Sequence, residues 1–461
     1  MDEARFDRYV AEHLEAWTAE LVDFCAIPSE ASDPAALRAA ADWIADRYRR
    51  LGHGIAVDVV TNAGDPPLVI AEIGSGRTLL ALQHYDVQPA APWHLWTTPP
   101  YQPAVRRGRV YARGACDNKG ELMARIWGLE AYLATVGEPP CRIRFLCQGQ
   151  EEGGGDSFPR LLAMRPGVLD GDAVVSEGGG MDAEGRPEVF AGVRGMATFE
   201  LVCRTIAYDA HSSLANLLPS ATIRLIKALS TFWDADGLPA IEGLTAQVRP
   251  PTPAQLAALE AVPEGQLEED LLAEFGIDGF LGGRTGKAAV RALNLDPTIN
   301  VQGLWSGYTG PGGNTITPAE AHARIDIRHV PDMDPETTIA TVRRHLERHG
   351  FGDLELIPND DAYRAWWTPP DHPVILASVR ASEAVAGKPA VVHVSAAGTE
   401  PMWDVAAAHS LPATTIGATD PDIRVHAPDE SYSLESASMA TRMFGRFVEA
   451  FAALPAVPRV P

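Results

Sequence analysis

The chain has 461 residues, of which 46% are hydrophobic and 21% are charged. These fractions are ordinary for a globular protein and exclude a mainly disordered or fibrous chain, and the length suggests two or three domains. Acidic residues outnumber basic residues by 61 to 38, which gives a formal net charge of −23. Because phosphate backbones and anionic membrane surfaces repel such a surface, we expect neither nucleic-acid binding nor membrane binding.

The five cysteines are scattered along the chain and form no Cys-x-x-Cys pair. This usage fits reduced thiols rather than a disulfide framework. The first residues, MDEARFDRYVAEHLEAW, are charged and amphipathic and lack the apolar core of a signal peptide. No run of about 18 apolar residues exists that could span a membrane. We therefore expect a cytoplasmic location.

The first part of the chain alternates helical and strand patterns. In chain order, hydrophobic periodicity and helix-boundary residues predict helices at about 3–27 and 34–51, strands at 68–73 and 78–83, a helix from Lys119, a strand at 142–147, a helix near 156–164 and a strand at 173–176. Apolar strands that alternate with helices indicate a mostly parallel sheet covered by helices on both faces. The predicted fold class is therefore α/β.

The pattern changes near Gly192. In MATFELVCR (196–204) and HARIDIRHV (322–330), apolar and polar residues alternate, as expected of a sheet with one solvated face. Helices are predicted at about 220–233 and 336–349 to accompany these strands. A smaller α+β domain is therefore expected in this part of the chain.

The α/β pattern resumes near the end of the chain, with a helix near 373–386, a strand at 413–417 and a helix at about 434–453. The stretch at about 250–300 is rich in Pro, Gly and acidic residues and receives no assignment. We predict an α/β domain formed by 1–192 and 366–461, which an α+β domain at 193–365 interrupts.

Polar side chains follow several of the apolar strands. His84 and Asp86 end a strand in LQHYDVQPA, and positions i and i+2 of a strand share one face. A carboxylate placed there can fix the tautomer of a metal-bound imidazole, although a surface histidine without a ligand role is an alternative. Asp117 lies just before the helix predicted from Lys119, where it is either an N-cap or a ligand.

Further carboxylates follow the next strands. Glu151 and Glu152 precede three glycines, and two adjacent carboxylates at a buried strand end are costly unless a positive charge lies beside them. Glu177 ends the apolar run VVS, and His426 lies in the loop RVHAPDESYSL. Open α/β sheets bind ligands outside the carboxyl ends of their strands. Two imidazoles and several carboxylates at such an edge are the usual ligands of paired divalent ions.

In this order, these segments resemble those of the di-zinc metallopeptidase family that includes carnosinases, non-specific dipeptidases, glutamate carboxypeptidases, aminoacylases, and acetylornithine and succinyl-diaminopimelate deacylases. The resemblance covers nearly the whole chain, and WTTPPYQPAVRRGRVYARGACDNKG and the Gln-Glu-Glu run are its most specific stretches. It implies a catalytic domain with an inserted lid through which two copies dimerise. It also implies two Zn²⁺ ions per subunit, which Mn²⁺ or Co²⁺ can replace.

The resemblance also implies a role for each candidate residue. Asp117 would bridge the two ions, and a non-proline cis peptide would follow it. The remaining metal ligands would be His84 and Glu177 for one ion and Glu152 and His426 for the other. The catalytic base would be Glu151, with Asp86 as the hydrogen-bond partner of the His84 ring.

Residues of the inserted domain would contact the substrate. His211, in AYDAHSSLAN, would polarise the scissile carbonyl, from the same subunit or from its partner. Arg328 would bind the substrate carboxylate in bidentate fashion, although by itself it could instead form an ion pair with Asp326 or Asp332. The other expected substrate contacts are Asn314, Gly398 and Thr399.

Two features leave the substrate class open. Glu400, in SAAGTEPMWD, introduces an acid near the expected carboxylate pocket. Glu177 stands where dipeptidases of the family commonly have Asp, which resembles the carboxypeptidases and deacylases. The long inserted domain and the PDMDP segment, by contrast, resemble the carnosinase-type dipeptidases.

We therefore expect a metal-dependent amide hydrolase that cleaves a dipeptide or short peptide with a free C-terminal carboxylate. Glu151 would act as general base on a water bridging two zinc ions. The alternative is a deacylase of N-acetyl, N-carbamoyl or similar amino acids. A catalytically silent interaction protein on the same fold is a remote third reading, because neither the base nor any ligand is missing.

Overall fold

The computed structural model describes residues 1–263, 265–359 and 362–460. Its helices are α1 (Glu3–Cys25), α2 (Pro34–Leu51), α3 (Lys119–Thr135), α4 (Ser157–Ala163), α5 (Ala221–Leu229), α6 (Pro253–Ala261), α7 (Gln266–Phe275), α8 (Gly286–Leu295), α9 (Pro335–Arg348), α10 (Pro373–Ala386), α11 (Met402–Ala406) and α12 (Leu434–Ala452). None of the described helices combines the length and hydrophobicity needed to cross a membrane.

The strands of the described chain are β1 (Ala56–Val60), β2 (Leu68–Ile73), β3 (Thr78–His84), β4 (Ala104–Arg106), β5 (Arg109–Tyr111), β6 (Arg142–Gln148), β7 (Ala173–Ser176), β8 (Gly180–Met181), β9 (Pro187–Phe190), β10 (Gly192–Val193), β11 (Gly195–Arg204), β12 (Ala210–His211), β13 (Thr298–Ser306), β14 (Ile316–Thr317), β15 (Glu320–His329), β16 (Glu355–Pro358), β17 (Trp366–Trp367), β18 (Val391–His393), β19 (Ala413–Thr415) and β20 (Ser431–Ser433). The chain divides into two compact units. The first comprises Met1–Gly192, Trp367–Val394 and Asp404–Pro461, and the second comprises Val193–Trp366 and Ser395–Trp403.

The first unit is built on a six-stranded sheet with the strand order β1-β2-β6-β3-β7-β19. Strands β6, β3, β7 and β19 run parallel to one another, whereas β2 is antiparallel to both of its neighbours. Every residue of β3 and β7 is buried, so the centre of the sheet is covered on both faces. The predicted α/β class with a mainly parallel sheet is confirmed.

Helices α1, α3 and α12 contact one another and share an apolar core with the sheet. Trp17 of α1 stacks on Trp127 of α3 with ring centroids 5.5 Å apart. Helix α1 ends at Cys25, two residues before its predicted end, because a residue that precedes proline, here Ile27 before Pro28, disfavours helical geometry. The core positions the N-terminal end of α3, which follows Asp117.

Parallel neighbours β3, β6 and β7 have their carboxyl ends at one edge of the sheet. His84 is the last residue of β3, Glu151 and Glu152 follow β6, and Glu177 follows β7 directly. The fold therefore brings together side chains that are far apart in the sequence.

The second unit contains a four-stranded antiparallel sheet with the order β13-β15-β11-β16, contacted by α5 and α9. In β15, Ala323, Ile325 and Ile327 are buried and Arg324 is exposed, as the alternating pattern predicts, although Asp326 is buried as well. In β11, however, Thr198 and Val202 are also buried, so the second face is partly covered. Helix α5 ends at Leu229, earlier than the predicted 233, and the unassigned stretch at 250–300 contains α6, α7 and α8.

His329, at the end of β15, is fully buried, and neither of its ring nitrogens has a hydrogen-bond partner among the described residues. Burial lowers the pKa of His329 to about 4, below the usual value of about 6.5. As the pH falls, the unfolded chain therefore takes up a proton that the folded chain does not, and stability is lost below pH 6.5. We expect this residue to lower the free energy of unfolding by about 2 kcal/mol between pH 7 and pH 5.

Urea unfolding of the wild type and His329→Gln at both pH values measures this effect. The variant should lose less stability on acidification by about that amount, and His94→Gln, at an exposed histidine, should behave as the wild type. An equal pH dependence in the wild type and His329→Gln would show that His329 is not the titrating group.

Candidate active site

The carboxylate of Asp117 lies between two histidines of the first unit. Its Oδ1 is 3.1 Å from Nε2 of His84, and its Oδ2 is 3.0 Å from Nε2 of His426. Each histidine also contacts one glutamate: Nε2 of His84 is 3.0 Å from Oε2 of Glu177, and Nε2 of His426 is 3.2 Å from Oε2 of Glu152. Two similar groups of side chains thus share one carboxylate.

Asp117 does not cap α3. The N-cap of that helix is Asn118, and the peptide bond between Asp117 and Asn118 is cis, as the family resemblance implies. Because both Asp117 oxygens contact histidines rather than the backbone N–H groups of the helix, the ligand interpretation accounts for its position and the capping interpretation does not.

Potential ligand atoms fall into two sets, within each of which they lie no more than 4.8 Å apart. One set contains His84, Glu151 and Glu177, and the other contains Asp117, Glu152 and His426. The structure therefore places the five predicted ligands together, and it places Glu151, the predicted base, within ligand distance as well.

The donor set fits divalent cations. Oε1 of Glu152 is buried and has no hydrogen-bond partner in the described chain, which is costly for a carboxylate unless a cation contacts it. Nδ1 of His84 lies 3.1 Å from the carbonyl oxygen of Asp86, so Nδ1 carries the proton of the neutral ring. In the neutral ring the Nε2 lone pair would face the carboxylates of Asp117 and Glu177, an arrangement that a cation between them would stabilise. Without a cation, burial lowers the pKa of His84, but Glu177 and the hydrogen bond with Asp117 outweigh it and raise the pKa well above its usual value, so Nε2 donates to these carboxylates.

The pKa shifts reflect the same concentration of negative charge. Burial raises the pKa of Glu151 well above its usual range; His84 opposes this shift, and Glu177 and Glu152 add to it. Hydrogen bonds to Asp117 and Glu152 raise the pKa of His426 to about 10. Burial would raise the pKa of Asp117, but its hydrogen bonds with the two histidines lower it below the usual range.

In the second unit, His211 ends β12 and pairs with Ile316 of β14. The backbone N–H of Ser213 lies 3.2 Å from Nδ1 of His211. Because an N–H group can only donate, Nδ1 is the acceptor, and the proton of the neutral ring is on the exposed Nε2. Asn314 is also exposed, and its carbonyl oxygen accepts a hydrogen bond from Ile316, so the two predicted substrate residues lie on adjoining segments.

Arg328 forms no ion pair within the described residues. Its Nη1 donates to Oγ1 of Thr399. Asp326 accepts instead from the amide of Asn300, and Asp332 pairs with Arg249. The alternative ion pair of Arg328 with Asp326 or Asp332 is therefore not formed.

Gly398 lies beside this arginine, and its carbonyl oxygen accepts from the backbone N–H of Arg194 at 3.0 Å. Arg194 is a second guanidinium of this cluster that the sequence did not predict. Burial lowers the pKa of Arg194 to about 10, and the charge of Arg328 adds to that effect. The two positive charges attract an anion, but Nη2 of Arg194 already donates to the backbone carbonyls of Ala292 and Asp296, so Arg328 is the residue that would contact it.

A family model described as "Peptidase family M20/M25/M40" matches residues 80–450. The chain belongs to this family. It is accordingly a metal-dependent hydrolase, and the matched span includes every candidate ligand from His84 to His426.

Individual relatives agree with the family assignment. The mouse (Mus musculus) "Beta-Ala-His dipeptidase" is 26% identical over 358 residues, which cover 74% of this chain and 72% of that protein. The "Cys-Gly metallodipeptidase dug1" of Schizosaccharomyces pombe is 27% identical over 319 residues, 67% of this chain and 66% of that protein. A solved M20 family metallo-carboxypeptidase from Sulfolobus solfataricus superimposes with a TM-score of 0.88 at 31% identity, covering 95% of this chain and 99% of that chain.

Asp86 has more partners in this M20 protein than its predicted contact with His84. Its Oδ1 lies 3.4 Å from Nδ1 of the histidine. The same carboxylate, which is fully buried, accepts the backbone N–H of Glu151 at 3.1 Å and that of Glu152 at 2.9 Å. Asp86 therefore fixes the histidine and the loop that carries the two glutamates.

Glu121, in α3, was missed by the sequence analysis. It is only 4% exposed, and its Oε2 accepts the backbone N–H of Gly178, the residue after Glu177, at 2.8 Å. In the sequence it looks like an ordinary acid in the first turn of a helix. Only the structure distinguishes it, because every residue of Lys119–Leu129 is buried there.

Proposed function

We propose that this protein is a dinuclear-zinc amide hydrolase that cleaves dipeptides or short peptides with a free C-terminal carboxylate. The observation that carries the proposal is the Asp117 carboxylate, whose two oxygens contact His84 and His426, each beside its own glutamate. The named dipeptidase activities of its M20 relatives point to the same substrate class.

Asp117 would hold both ions, with His84 and Glu177 completing one site and Glu152 and His426 the other. The mixture of imidazole and carboxylate ligands suits Zn²⁺, and Mn²⁺ or Co²⁺ can occupy similar sites. When bound, the ions supply Lewis acidity that polarises a carbonyl group and lowers the pKa of water.

Glu151 would take a proton from the attacking water and deliver it to the leaving nitrogen. Glu151 lies in one set with His84 and Glu177, beside the place where the water would be activated. His211 would donate the hydrogen of its exposed Nε2 to the carbonyl oxygen as negative charge develops there. Asp86 would keep Glu151 in place through its backbone N–H.

Arg328 would bind the terminal carboxylate of the substrate. Its guanidinium has no acidic partner in the described chain, and Thr399 orients one of its nitrogens. The planar fork of arginine matches a carboxylate in two parallel hydrogen bonds. Asn314 and Gly398 would be further substrate contacts.

An N-acyl amino-acid deacylase is the second candidate, because Glu177 stands where dipeptidases of the family commonly have Asp. Such an enzyme would share the metal ligands and Glu151. It would differ in the group accepted on the N-terminal side of the scissile amide.

We further propose a homodimer that forms through the inserted lid domain at 193–365. Helix α5 supports this assembly because Ile223 and Ile226 are 53% and 46% exposed. The five cysteines are free and buried, which supports a cytoplasmic location.

The zinc-loaded enzyme should hydrolyse unblocked dipeptides and discriminate against their C-terminal amides by about 10- to 100-fold in kcat/KM, the value of a charge-assisted hydrogen bond. Arg328→Ala should remove this discrimination, mainly through a higher KM for the free acid. Kinetics with a matched dipeptide, its amide and the corresponding N-acetyl amino acid measure both effects.

Arg324→Ala is the control, because Arg324 lies on the same strand with an exposed side chain. It should leave the discrimination unchanged. A preference for N-acetyl amino acids would favour the second candidate. No hydrolysis of any substrate by the metal-loaded protein would overturn the proposed activity.

A further inference from the structure

Glu430 is a completely buried acid that the proposed mechanism does not use. Its Oε2 accepts from Nη1 of Arg113 at 2.8 Å and from the backbone N–H of Gly114 at 2.9 Å. Its Oε1 accepts from the backbone N–H groups of Cys116 at 3.0 Å and Asp117 at 3.1 Å. One carboxylate thus holds the whole turn that leads to the shared candidate ligand.

All four partners of Glu430 are hydrogen-bond donors, and a carboxylate offers about four acceptor positions. A protonated or amide side chain would direct a hydrogen at one of these donors, so the site requires the ionised acid. Arg113 balances the charge: it is 1% exposed, and its guanidinium stacks over Trp96 at 5.3 Å. The Glu430 carboxylate and the Arg113 guanidinium therefore form a buried ion pair.

Glu430 is also attached to the segment that carries His426. The carbonyl oxygen of Glu430 accepts from the backbone N–H of Ala112 at 3.1 Å, and β20, which starts at the next residue, pairs with β5. His426 itself has a left-handed φ of 62°, a conformation that persists in a non-glycine residue only when its surroundings hold it. The same residue therefore links the loop of Asp117 to the loop of His426.

We propose that Glu430 is a positioning residue that couples these two loops and thereby sets the affinity of both metal ions. The proposal rests on the metal centre described above. Through the N–H of Asp117 it fixes the direction in which the bridging carboxylate points, and through the chain it limits the movement of His426. Neither effect requires contact between Glu430 and a metal ion or the substrate.

Glu430→Gln should raise the zinc dissociation constants of both sites by about 10- to 100-fold, the usual effect of removing a partner that orients metal ligands. The amide keeps the volume of the side chain. It replaces one acceptor oxygen of Glu430 with an NH2 group, which would face N–H donors. Turnover at saturating zinc should recover to within a few-fold of the wild type. Competition against a chromophoric zinc chelator gives the two constants, and urea unfolding gives stability separately.

Glu130→Gln is the matched control, because it also weakens an ion pair with a buried arginine, Arg47, but Glu130 has no contact with the candidate ligands. It should reduce stability and leave both zinc constants unchanged. If Glu430→Gln does not fold, Glu430→Asp retains the charge on a shorter side chain and should weaken zinc binding to an intermediate degree.

Wild-type zinc affinity in the folded variant would overturn the proposal, and weakening at a single site would overturn the coupling. Failure of the proposed function has a different signature, since the wild type itself would then bind no pair of zinc ions.

Discussion

Glu151→Gln should lower kcat by about 10³-fold, within the range that general acid–base catalysis contributes, while both zinc ions stay bound. Glutamine has nearly the shape of glutamate, and the backbone N–H of residue 151 would still be held by Asp86. The amide cannot accept the proton of the attacking water. Metal content by mass spectrometry and kcat with a saturating dipeptide test the two halves of this expectation.

The metal measurement matters because Glu151 lies in one ligand set with His84 and Glu177. If Glu151 were a ligand, Glu151→Gln would lose zinc together with activity. Glu152→Gln provides the comparison, since it should lose zinc from the site of His426. Near-normal turnover of Glu151→Gln with zinc bound would instead exclude Glu151 as the base.

Candidate metal ligands at the edge of the sheet could be predicted because they lie at or soon after the ends of apolar strands in the sequence. His84 and Glu177 each end an apolar run, and parallel strands place such ends side by side. Helix α6 also has local signals: Thr252 and Gln255 form a capping box, and Pro253 occupies the first turn. The acidic and Pro-rich composition of its surroundings concealed that pattern.

Glu121 and Glu430 could not be found in this way. Their partners include backbone N–H groups that are distant in the sequence, that of Gly178 for Glu121 and that of Gly114 for Glu430. Any residue except proline supplies such a donor. No spacing in the sequence identifies a buried carboxylate of this kind, and only the packed structure shows that it orients a ligand loop. The sequence likewise does not show that Arg328 forms no ion pair with the described residues, because Asp326 and Asp332 lie close to it in the chain.

Asp117→Asn should reduce the bound zinc from two ions to at most one and lower kcat/KM at least as far as Glu151→Gln does. An amide offers a single weak oxygen ligand in place of the two carboxylate oxygens that contact His84 and His426. Asp117→Ala should lose both ions. By contrast, His84→Ala and His426→Ala should each weaken mainly one site, because only Asp117 is shared.

The asparagine variant separates the two interpretations of Asp117 that the sequence left open. Asparagine caps a helix about as well as aspartate, so a residue that served only as a cap would tolerate the change. Asp33→Asn is the control: the Asp33 side chain accepts from the backbone N–H groups of Ala35 and Ala36 at the start of α2, and its replacement should leave zinc content and turnover intact. Two tightly bound zinc ions in Asp117→Asn would mean that the ions are held by the histidine and glutamate pairs alone, and that Asp117 does not bridge them.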